Sequence, residues 1–539
     1  MNTPAKSPLG AKRPLGAQIS HMLRARGVDV IFGIPGVHNV ELYRGIEEAG
    51  ITHILARNEM GAGFMADGYA RATGKPGVIY TITGPGLTNA MTPLGQSDSD
   101  SVPVLAIASC LDEVRATRGQ LHQMRDQRGA AACVTATADE AVSADSAYRL
   151  IERAFDAFAA LRPRPRYMQV PIAQLGQVAP PPPPVRARPT RPQPTHDQIT
   201  QAATALIAAQ RPLFVFGGGA CGGASAVPNL LRQTGAASLM TYAGRGIVPP
   251  DHPLCFGSSL ARPETAQIAA QADLVVAVGT ELSEVDLWRD NLGHTAPMIR
   301  VDIDAEAFDS LRPQDTAILG DAATFLQGVS LAIAARTEDS PPKWQAKDVA
   351  AARARFYAET EAERPGILRI TQVLRAAVPA HTMIYSDMTQ FAYVAKETWD
   401  MDQPGDWHHP SGFGTLGYAL PAAIGGQIGR PGQPTMAIAG DYGFHYTMQE
   451  LGVAVELGLS IPIILWDNGK LKEIEDSMIA SQIAPNAVEA RNPDFLALAR
   501  AYGARAQQPE TVAELSQTVS EAFNAPVPTV IRVTPAIRD

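Results

Sequence analysis

Short apolar runs, rich in β-branched residues, alternate with amphipathic helical patterns along the whole chain, and this alternation constrains the fold most. The runs occupy residues 77–82, 103–108, 212–216, 274–278, 298–303, 435–439 and 461–466. A strand that is apolar at every position is buried on both faces, as in a parallel sheet covered by helices. The sequence therefore predicts an α/β fold built from parallel sheets.

Two breaks divide the chain into segments of domain size. Residues 179–195 contain five consecutive prolines, followed by an Arg/Pro-rich stretch. Since proline lacks the backbone N–H and fixes φ, this segment is predicted to be a stiff linker without helix or strand. A weaker break, polar, charged and helical, covers 336–365. We predict three consecutive open parallel-sheet domains over 16–178, 196–335 and 366–539, because 539 residues exceed what one core supports.

Composition excludes several classes of function. The net charge of −9 comes without a long basic run, which argues against a nucleic-acid partner. The four cysteines form no CxxC or Cys/His cluster, so neither a disulfide framework nor a zinc site is indicated. No apolar stretch approaches the roughly 18 residues of a membrane span, and the first residues lack an apolar signal core. We expect a cytoplasmic enzyme without a membrane partner.

The sharpest chemical signal lies where two strands of the third domain end. One strand runs into Gly-Asp-Tyr-Gly at 440–443, and the next runs into Asp-Asn-Gly-Lys at 467–470. Because the carboxyl ends of parallel strands hold the ligands of open α/β sheets, Asp441 and Asn468 are expected at one edge. Their side chains and the carbonyl of Lys470 are hard oxygen donors of the kind that Mg²⁺ or Ca²⁺ prefers.

Glycines beside these donors suit a phosphate group. Gly440 and Gly443 would let the backbone approach a phosphate, and a helix predicted to begin near Thr447 would favour its negative charge. Taken alone, each half of the pattern is also compatible with an ordinary strand-to-helix turn. The two halves together favour a metal and phosphate site.

In the first domain, residues 57–71 have helical spacing, with Glu59 at the predicted start. An acid at a helix N-terminus stabilises the helix by roughly 0.3–1 kcal/mol, so a purely structural role is the alternative to a catalytic one.

Together these features resemble the thiamine-diphosphate-dependent enzymes of the acetolactate synthase and 2-oxo acid decarboxylase superfamily. Their motif is written Gly-Asp-Gly, some two dozen residues, then Asn-Asn; here Tyr442 and Asp467 depart from it without removing a ligand. The resemblance implies thiamine diphosphate with Mg²⁺, or Ca²⁺ or Mn²⁺, held by Asp441, Asn468 and the Lys470 carbonyl. It also implies that Glu59 hydrogen-bonds the pyrimidine ring of the cofactor.

The same resemblance implies a pyrimidine-binding first domain, a Rossmann-like middle domain and a diphosphate-binding third domain. It places further residues at the cofactor: Pro35, Gly36, Gly84, Pro85, Thr389, Gln390, Gly414, Thr415, Leu416, Gly440, Tyr442, Gly443 and Leu471. The middle domain of such enzymes sometimes holds FAD or ADP. Its glycine-rich segment here, 217–223, gives no clean GxGxxG with an acid about 20 positions on, and the FAD-associated pattern is absent after Gly279. We therefore expect no required FAD.

Residues 32–44, 121–127, 279–284 and 440–443 are similar to the 5-guanidino-2-oxopentanoate (2-ketoarginine) decarboxylases. The resemblance implies decarboxylation of a 2-oxo acid, such as a 5-guanidino-2-oxopentanoate-like one, through ylide and enamine intermediates. His38 and His122 are candidate proton-transfer residues, since histidine relays protons near pH 7, and Gln123 is a candidate for orienting the substrate. Gln123 and Glu475 depart from the pattern of that group, which leaves the substrate open.

Two other functions remain possible on this reasoning. An acetolactate-synthase-like carboligase would join the enamine to a second carbonyl compound, and a non-catalytic paralogue would bind the cofactor without turnover. Retention of Glu59, Asp441 and Asn468 argues against the second. The resemblance also implies a homodimer or homotetramer with active sites between subunits.

Overall fold

A computed structural model describes residues 12–113, 119–336 and 340–539. Each of its three large sheets has only parallel strand pairs and is covered by helices, which confirms the predicted fold class. Each predicted apolar run falls on one strand of these sheets.

The first sheet has six strands in the order β3-β2-β4-β5-β7-β6. Its strands are β2 (Val30–Gly33), β3 (Thr52–Leu55), β4 (Gly77–Thr81), β5 (Val104–Cys110), β6 (Thr137–Glu140) and β7 (Arg166–Pro171). A short antiparallel pair, β1 (Arg13–Pro14) with β8 (Val178–Ala179), joins the two ends of this domain. Its helices are α1 (Leu15–Ala25), α2 (Val40–Tyr43), α3 (Ile46–Ala49), α4 (Glu59–Thr73), α5 (Pro85–Ser99), α6 (Gln127–Ala132), α7 (Ala144–Ala160) and α8 (Ile172–Gly176).

The middle sheet has five strands in the order β10-β9-β11-β12-β13. They are β9 (Pro212–Phe216), β10 (Ala237–Met240), β11 (Leu274–Val278), β12 (Met298–Asp302) and β13 (Thr316–Leu319). The accompanying helices are α9 (His196–Ala208), α10 (Val227–Thr234), α11 (Glu264–Ala270), α12 (Glu284–Leu287), α13 (Ala322–Ala334) and α14 (Ala346–Glu363). Three 3₁₀ segments, Gly218–Ala226, Tyr242–Gly244 and Ala305–Phe308, complete this part.

The last sheet has six strands in the order β15-β14-β16-β17-β19-β18. They are β14 (Met383–Ser386), β15 (Trp407–His408), β16 (Thr435–Gly440), β17 (Pro462–Trp466), β18 (Arg505–Gln507) and β19 (Thr529–Val533). Around them lie α15 (Ile367–Ala377), α16 (Gln390–Thr398), α17 (Ala419–Gly429), α18 (Asp441–Thr447), a 3₁₀ turn (Met448–Glu450), α19 (Leu451–Glu456), α20 (Lys472–Ala480), α21 (Phe495–Ala501) and α22 (Val512–Ala522).

The first and last sheets have the same topology. Counted along each domain, the strand order is second, first, third, fourth, sixth, fifth in both. The order reverses between the first and third strands, β2 and β4 in one domain and β14 and β16 in the other. Open α/β sheets bind their ligands at such switch points, beyond the carboxyl ends of the strands.

Helices α4 and α17 join the first and last domains through very close packing. A Cβ at Gly68 would collide with the carbonyl of Ala422, and one at Gly425 would collide with the carbonyl of Met65. The hydroxyl of Tyr418 donates to Asp67 Oδ1 at 2.8 Å. These small residues let the two helices lie together, so that residues of both domains share one apolar core.

The segments between the domains differ from each other. Within the predicted linker 179–195, residues 180–195 form neither helix nor strand, as predicted from their prolines, whereas Ala179 pairs with Arg13 as the last residue of β8. The second segment contains α14, whose Val349, Ala352 and Phe356 lie in the core on one face of the middle sheet. The domain limits given above stay predictions.

One helix boundary was predicted wrongly. The helix after β16 begins at Asp441, not near Thr447, because the turn starts directly at the strand end.

Candidate cofactor site

Three loops of the first domain meet at its switch point. Gly36 follows β2, and a Cβ there would collide with Ile82 Cδ1 in the loop after β4. Gly84 has φ +71°, and a Cβ there would collide with the carbonyl of His122. The backbone N–H of Gly36 donates to Asn39 Oδ1 at 2.7 Å, which fixes the first loop. Glycine at these positions therefore lets the predicted cofactor-facing loops touch.

Two histidines of the predicted set lie together at this edge. The rings of His38 and His122 pack edge to face, with centroids 4.9 Å apart. Burial, and then the neighbouring His122, lower the pKa of His38. A neutral imidazole near pH 7 can accept a proton. Gln123 Oε1 accepts the backbone N–H of Gln120 at 2.9 Å and so closes a turn in its own loop; its predicted role toward substrate stays a prediction.

Glu59 is the first residue of α4, as predicted, and is buried. The side chain of Asn58 caps the helix by accepting the backbone N–H of Met60 at 2.8 Å. Asn89 Nδ2 donates to Glu59 Oε2 at 2.9 Å. The other oxygen, Oε1, would lie 3.5 Å from a Cβ at Gly86, so the carboxyl group lies against the loop that follows β4, where Pro85 begins α5.

The two halves of the motif in the last domain are joined directly. Asp441 Oδ2 accepts the backbone N–H of Gly469 at 2.9 Å, and its Oδ1 accepts that of Tyr442 at 2.9 Å. Asn468 Oδ1 accepts the backbone N–H of Lys470 at 3.1 Å. The structure thus brings the predicted side-chain donors, Asp441 and Asn468, to one edge of the sheet.

A second carboxylate lies beside Asp441. Asn492 Nδ2 donates to Asp441 Oδ2 at 2.7 Å and to Asp467 Oδ1 at 2.8 Å, and Arg532 Nε donates to Asp467 Oδ2 at 2.6 Å. Burial raises the pKa of Asp441, and the charge of Asp467 acts in the same direction. A cation bound there would stabilise the ionised form of Asp441. The local charge therefore fits a divalent metal.

The loop after β14 closes this edge from the other side. Asp387 is buried and accepts the backbone N–H groups of Gly417 at 2.9 Å and Met388 at 3.0 Å. A Cβ at Gly443 would collide with the same carboxylate. Asp387 therefore ties the segment containing Gly414, Thr415 and Leu416 to the segment after β16.

Thr389 and Gln390 extend this contact. A Cβ at Gly440 would lie 3.2 Å from Thr389 Cβ. Asn468 Nδ2 donates to Gln390 Oε1 at 3.4 Å, and Gln390 Nε2 donates to Glu473 Oε1 at 2.9 Å. The predicted diphosphate-facing residues of the two loops thus lie together.

The sequence reasoning did not find several residues that hold the binding edges of the two sheets, namely Asn89, Gln127, Asp387, Glu450, Glu473 and Asn492. Gln127 Oε1 accepts the backbone N–H of Gly84 at 2.9 Å and so supports that loop. Only Asp387 carried a usable signal, because it directly follows an apolar strand at a switch point. The others are separated in sequence from the groups that they hold.

The candidate metal donors are oxygen atoms of mixed type. Within 12–113, 119–336 and 340–539, no group of three or more His, Cys, Asp or Glu side chains is arranged to hold a metal. The candidate set instead combines one carboxylate, one amide and one backbone carbonyl, which Mg²⁺ commonly completes with waters and phosphate oxygens.

The middle domain borders a separate cavity of about 790 Å³. Its glycine-rich lining includes Gly218, Gly219 and Gly222. Three arginines of the lining are paired with carboxylates of the same lining: Arg71 with Asp100 at 2.9 Å, Arg191 with Asp321 at 3.1 Å, and Arg162 with Glu281. A fourth, Arg245, donates to the backbone carbonyl of Tyr242 at 3.0 Å. The expectation of no required FAD stays a prediction.

Comparison with known proteins defines the class of this chain. Three family models match it in order: the thiamine pyrophosphate enzyme N-terminal TPP binding domain over 13–130, the central domain over 199–329 and the C-terminal TPP binding domain over 387–533. The chain belongs to the thiamine pyrophosphate enzymes, which confirms the resemblance seen in its sequence.

Relatives that match over nearly the full length of the chain show which thiamine pyrophosphate enzymes it is similar to. The chain is 41% identical to the probable 2-ketoarginine decarboxylase AruI of Pseudomonas aeruginosa, over 96% of this chain and 93% of the relative. It is 30% identical to the acetolactate synthase isozyme 2 large subunit of Escherichia coli, over 96% and 95%. An acetolactate synthase of Mycobacterium bovis is 29% identical, over 95% and 87%. No helix in the described part of the chain is long and apolar enough to cross a membrane.

Proposed function

We propose that this chain is a thiamine-diphosphate-dependent decarboxylase of a 2-oxo acid. One observation carries the proposal: the Glu59 carboxyl group contacts the segment after β4, and Asp441, bonded to the segment of Asn468, follows β16, so that both lie beside the switch points of two sheets with the same strand order. The full-length similarity to AruI favours decarboxylation over carboligation, for which the acetolactate synthases are more distant relatives.

When bound, thiamine diphosphate supplies the carbanion and the electron sink that decarboxylation of a 2-oxo acid requires. Asp441, Asn468 and the carbonyl of Lys470 would hold Mg²⁺, or Ca²⁺ or Mn²⁺, and through it the diphosphate. Thr389, Gln390, Gly440, Gly443, Tyr442 and Leu471 would line the diphosphate end, and Gly414, Thr415 and Leu416 the pyrimidine end. We assign the pyrimidine contact to Glu59, which would hold a proton on its carboxyl oxygen.

His38 and His122 would move protons at the substrate. Burial, and then the neighbouring His122, lower the pKa of His38, so its imidazole is neutral and able to accept a proton at pH 7. We assign to Gln123 an orienting contact with the substrate. Pro35, Gly36, Gly84 and Pro85 would shape the loops around these groups.

A guanidino tail would need a carboxylate that is not already neutralised. Asp467 is bonded to Arg532, and Glu475 is paired with Lys470 at 2.9 Å and with Lys472 at 3.4 Å. Neither residue is therefore a free partner for a cationic substrate. We propose a 2-oxo acid as the substrate class, with 5-guanidino-2-oxopentanoate as the first acid to test because of the similarity to AruI.

We also propose a homodimer, or a homotetramer built from it, with active sites between subunits. Large apolar side chains are exposed beside both halves of the site: Val37 by 67% and Leu121 by 60% in the first domain, Phe413 by 53% and Ile474 by 49% in the last. Apolar groups left exposed at the edges of a site indicate a protein partner. Light scattering over a range of concentrations tests this, and a monomer at all concentrations contradicts it.

A cytoplasmic location, the absence of nucleic-acid and membrane partners, and the absence of required FAD remain proposals from composition and from the sequence pattern of the middle domain. Analysis of the purified protein for bound flavin tests the last of these.

A panel of 2-oxo acids tests the function. The purified chain is assayed for CO₂ release with thiamine diphosphate and Mg²⁺, with EDTA as the metal-free control, and products are analysed for a new carbon–carbon bond. CO₂ release with an aldehyde product supports the proposal. A condensed product from pyruvate identifies the carboligase, and no release from any acid excludes the decarboxylase.

A further inference from the structure

A buried acid of the last domain reaches into the first domain beside Glu59. Glu450 ends the 3₁₀ turn Met448–Glu450, between α18, which begins at Asp441, and α19. Its side chain is fully buried. Burying a carboxylate costs free energy unless it is hydrogen-bonded, so Glu450 is expected to have hydrogen-bond partners.

The partners are the backbone N–H groups that precede α4. Glu450 Oε1 accepts the N–H of Asn58 at 2.9 Å, and the N–H of Arg57 lies 3.2 Å from Oε1 and 3.1 Å from Oε2. N–H groups at the start of a helix lack carbonyl partners within it. The carboxyl group therefore holds the two backbone amides immediately before Glu59.

A glycine makes this approach possible. A Cβ at Gly61, in the first turn of α4, would collide with the Glu450 carboxyl group. Because the group in the way is the end of a flexible side chain, an alanine at Gly61 would displace the carboxyl group and leave the helix intact.

The charges around Glu450 are mixed. Burial raises its pKa to about 7, the two backbone N–H groups and Arg57 oppose this rise, and Glu59 adds to it. The guanidinium of Arg57 is itself paired with Glu456, at 2.6 Å, on the exposed side of α19. One residue, Arg57, thus contacts two acids of the same region, a buried acid through its backbone and an exposed acid through its side chain.

We propose that Glu450 is a positioning residue for Glu59: by holding the amides of Arg57 and Asn58, it fixes the start of α4 at the orientation that the cofactor's pyrimidine requires. The inference rests on the proposed function. The segment that follows Asp441, the proposed metal ligand, would then also hold in position Glu59, the proposed proton donor in another domain.

Four variants of the full chain, loaded with thiamine diphosphate and Mg²⁺, test the proposal. Glu450→Ala removes the acceptor, Glu450→Gln keeps one carbonyl oxygen that both amides can reach, and Gly61→Ala displaces the carboxyl group from the other side. Glu456→Gln is the matched control, because it removes the exposed partner of Arg57. Hydrogen exchange of peptides covering 55–62, affinity for thiamine diphosphate, kcat, KM and Tm are measured for each.

We expect Glu450→Ala and Gly61→Ala to exchange faster at residues 57–59 and to lose on the order of 10²-fold in kcat, as small misplacements of catalytic groups do, with a much smaller change in KM. The kcat of Glu450→Gln should lie within about tenfold of the parent value. Its amide oxygen still accepts the two N–H groups, although a neutral acceptor is weaker than a charged one. Glu456→Gln should match the parent.

Unchanged exchange at 57–59 in Glu450→Ala, or a kcat per folded molecule equal to that of the parent, overturns the proposal. Equal losses in Glu450→Ala and Glu450→Gln that only follow Tm also overturn it, because they indicate a general loss of stability. If the parent releases no CO₂, the proposed function fails. Exchange and cofactor affinity then decide the positioning role, which falls if Glu450→Ala binds thiamine diphosphate as tightly as the parent.

Discussion

The first and last domains share one strand order, yet their binding edges have different chemistry. At the switch point of the first sheet lie a buried acid, Glu59, and two packed histidines, which suit proton transfer. At that of the last sheet lie Asp441 and Asn468, whose oxygens suit a metal and, through it, a diphosphate. The sheet topology therefore determines where a ligand can bind, whereas the side chains that follow each strand determine which part of the ligand is bound there.

The two edges are also held together differently. In the first domain the loops touch through glycines, at Gly36 and Gly84, where a side chain would collide with the next loop. In the last domain the loops are joined by buried carboxylates, Asp387 and Asp467, with amide and guanidinium donors. The metal edge therefore depends on a buried polar network that an added methyl group would disrupt, and the proton-transfer edge depends on close loop contacts, of which the one at Gly36 is with the movable side chain of Ile82.

The largest expected effect tests the division of chemistry between the edges. Glu59→Gln should lower kcat by about 10²- to 10⁴-fold, the usual contribution of a positioned acid or base, while the fold and metal binding are retained. Glu47→Gln, at an exposed first-turn acid of α3, is the control for a helix-end effect. CO₂ release and calorimetric binding of thiamine diphosphate measure both, and near-normal turnover of Glu59→Gln refutes its role.

The next prediction concerns the metal edge. Asp441→Asn should weaken Mg²⁺-dependent binding of thiamine diphosphate by at least about 10- to 100-fold, the loss seen even for residues that only support metal ligands. Asp476→Asn, at an exposed acid of α20, should bind normally. Titration with and without Mg²⁺ measures the effect, and an unchanged Mg²⁺ dependence would remove Asp441 from the ligand set.

A pair of glycine substitutions compares how the two edges are held. Gly443→Ala drives a Cβ into the buried Asp387 carboxylate and should cost about 1–3 kcal/mol of stability. Gly36→Ala meets only the terminal methyl of Ile82, which can move, so its cost should be smaller. Urea unfolding of the cofactor-free proteins measures both, and the reverse order contradicts the comparison.

The smallest expected effect is a change in how the free energy of unfolding depends on pH. Burial raises the pKa of Asp387 to about 6, so this group binds its proton more tightly in the folded chain and its contribution to stability is lost as pH rises from about 4 to about 6. The pKa of His38 is lowered by burial, so its contribution is lost as pH falls through about 6.5.

Asp387→Asn should therefore reduce the slope of unfolding free energy against pH between about 4 and about 6. His38→Asn should reduce the slope near neutral pH. Unfolding free energies at a series of pH values measure each slope, with Asp476→Asn again as the control. Slopes identical to that of the parent in both variants would show that neither group titrates differently on folding.

Much of the fold could be predicted from local pattern. A strand buried on both faces leaves an uninterrupted apolar run, which is why the runs at 77–82 and 435–439 fell on β4 and β16. The motif residues at the ends of β16 and β17 could be placed at one edge for the same reason. The start of the following helix was predicted wrongly, because the turn at Asp441 carries no capping signal apart from the carboxylate that was predicted to be a metal ligand.

The partners within the site could not be predicted in this way. The sequence presented Asp467 as an added charge, whereas in the fold Arg532, 65 positions away, neutralises it. The pairs that Glu475 makes with Lys470 and Lys472 are different, because these residues are only five and three positions away and local spacing could have suggested them. The pairing of Asp467 depends on which loops meet at a sheet edge, and no local pattern contains that information.

The sequence by itself therefore determined the class of fold, the strand ends that carry the proposed metal donors and the helix that begins at Glu59, because burial and strand-end chemistry act over a few neighbouring residues. Only the tertiary structure decided that the first and last sheets share one order, and that Glu450 holds the backbone of Asn58 from 392 residues away. Contacts over that distance follow from how whole helices and sheets pack, which side chains specify only collectively.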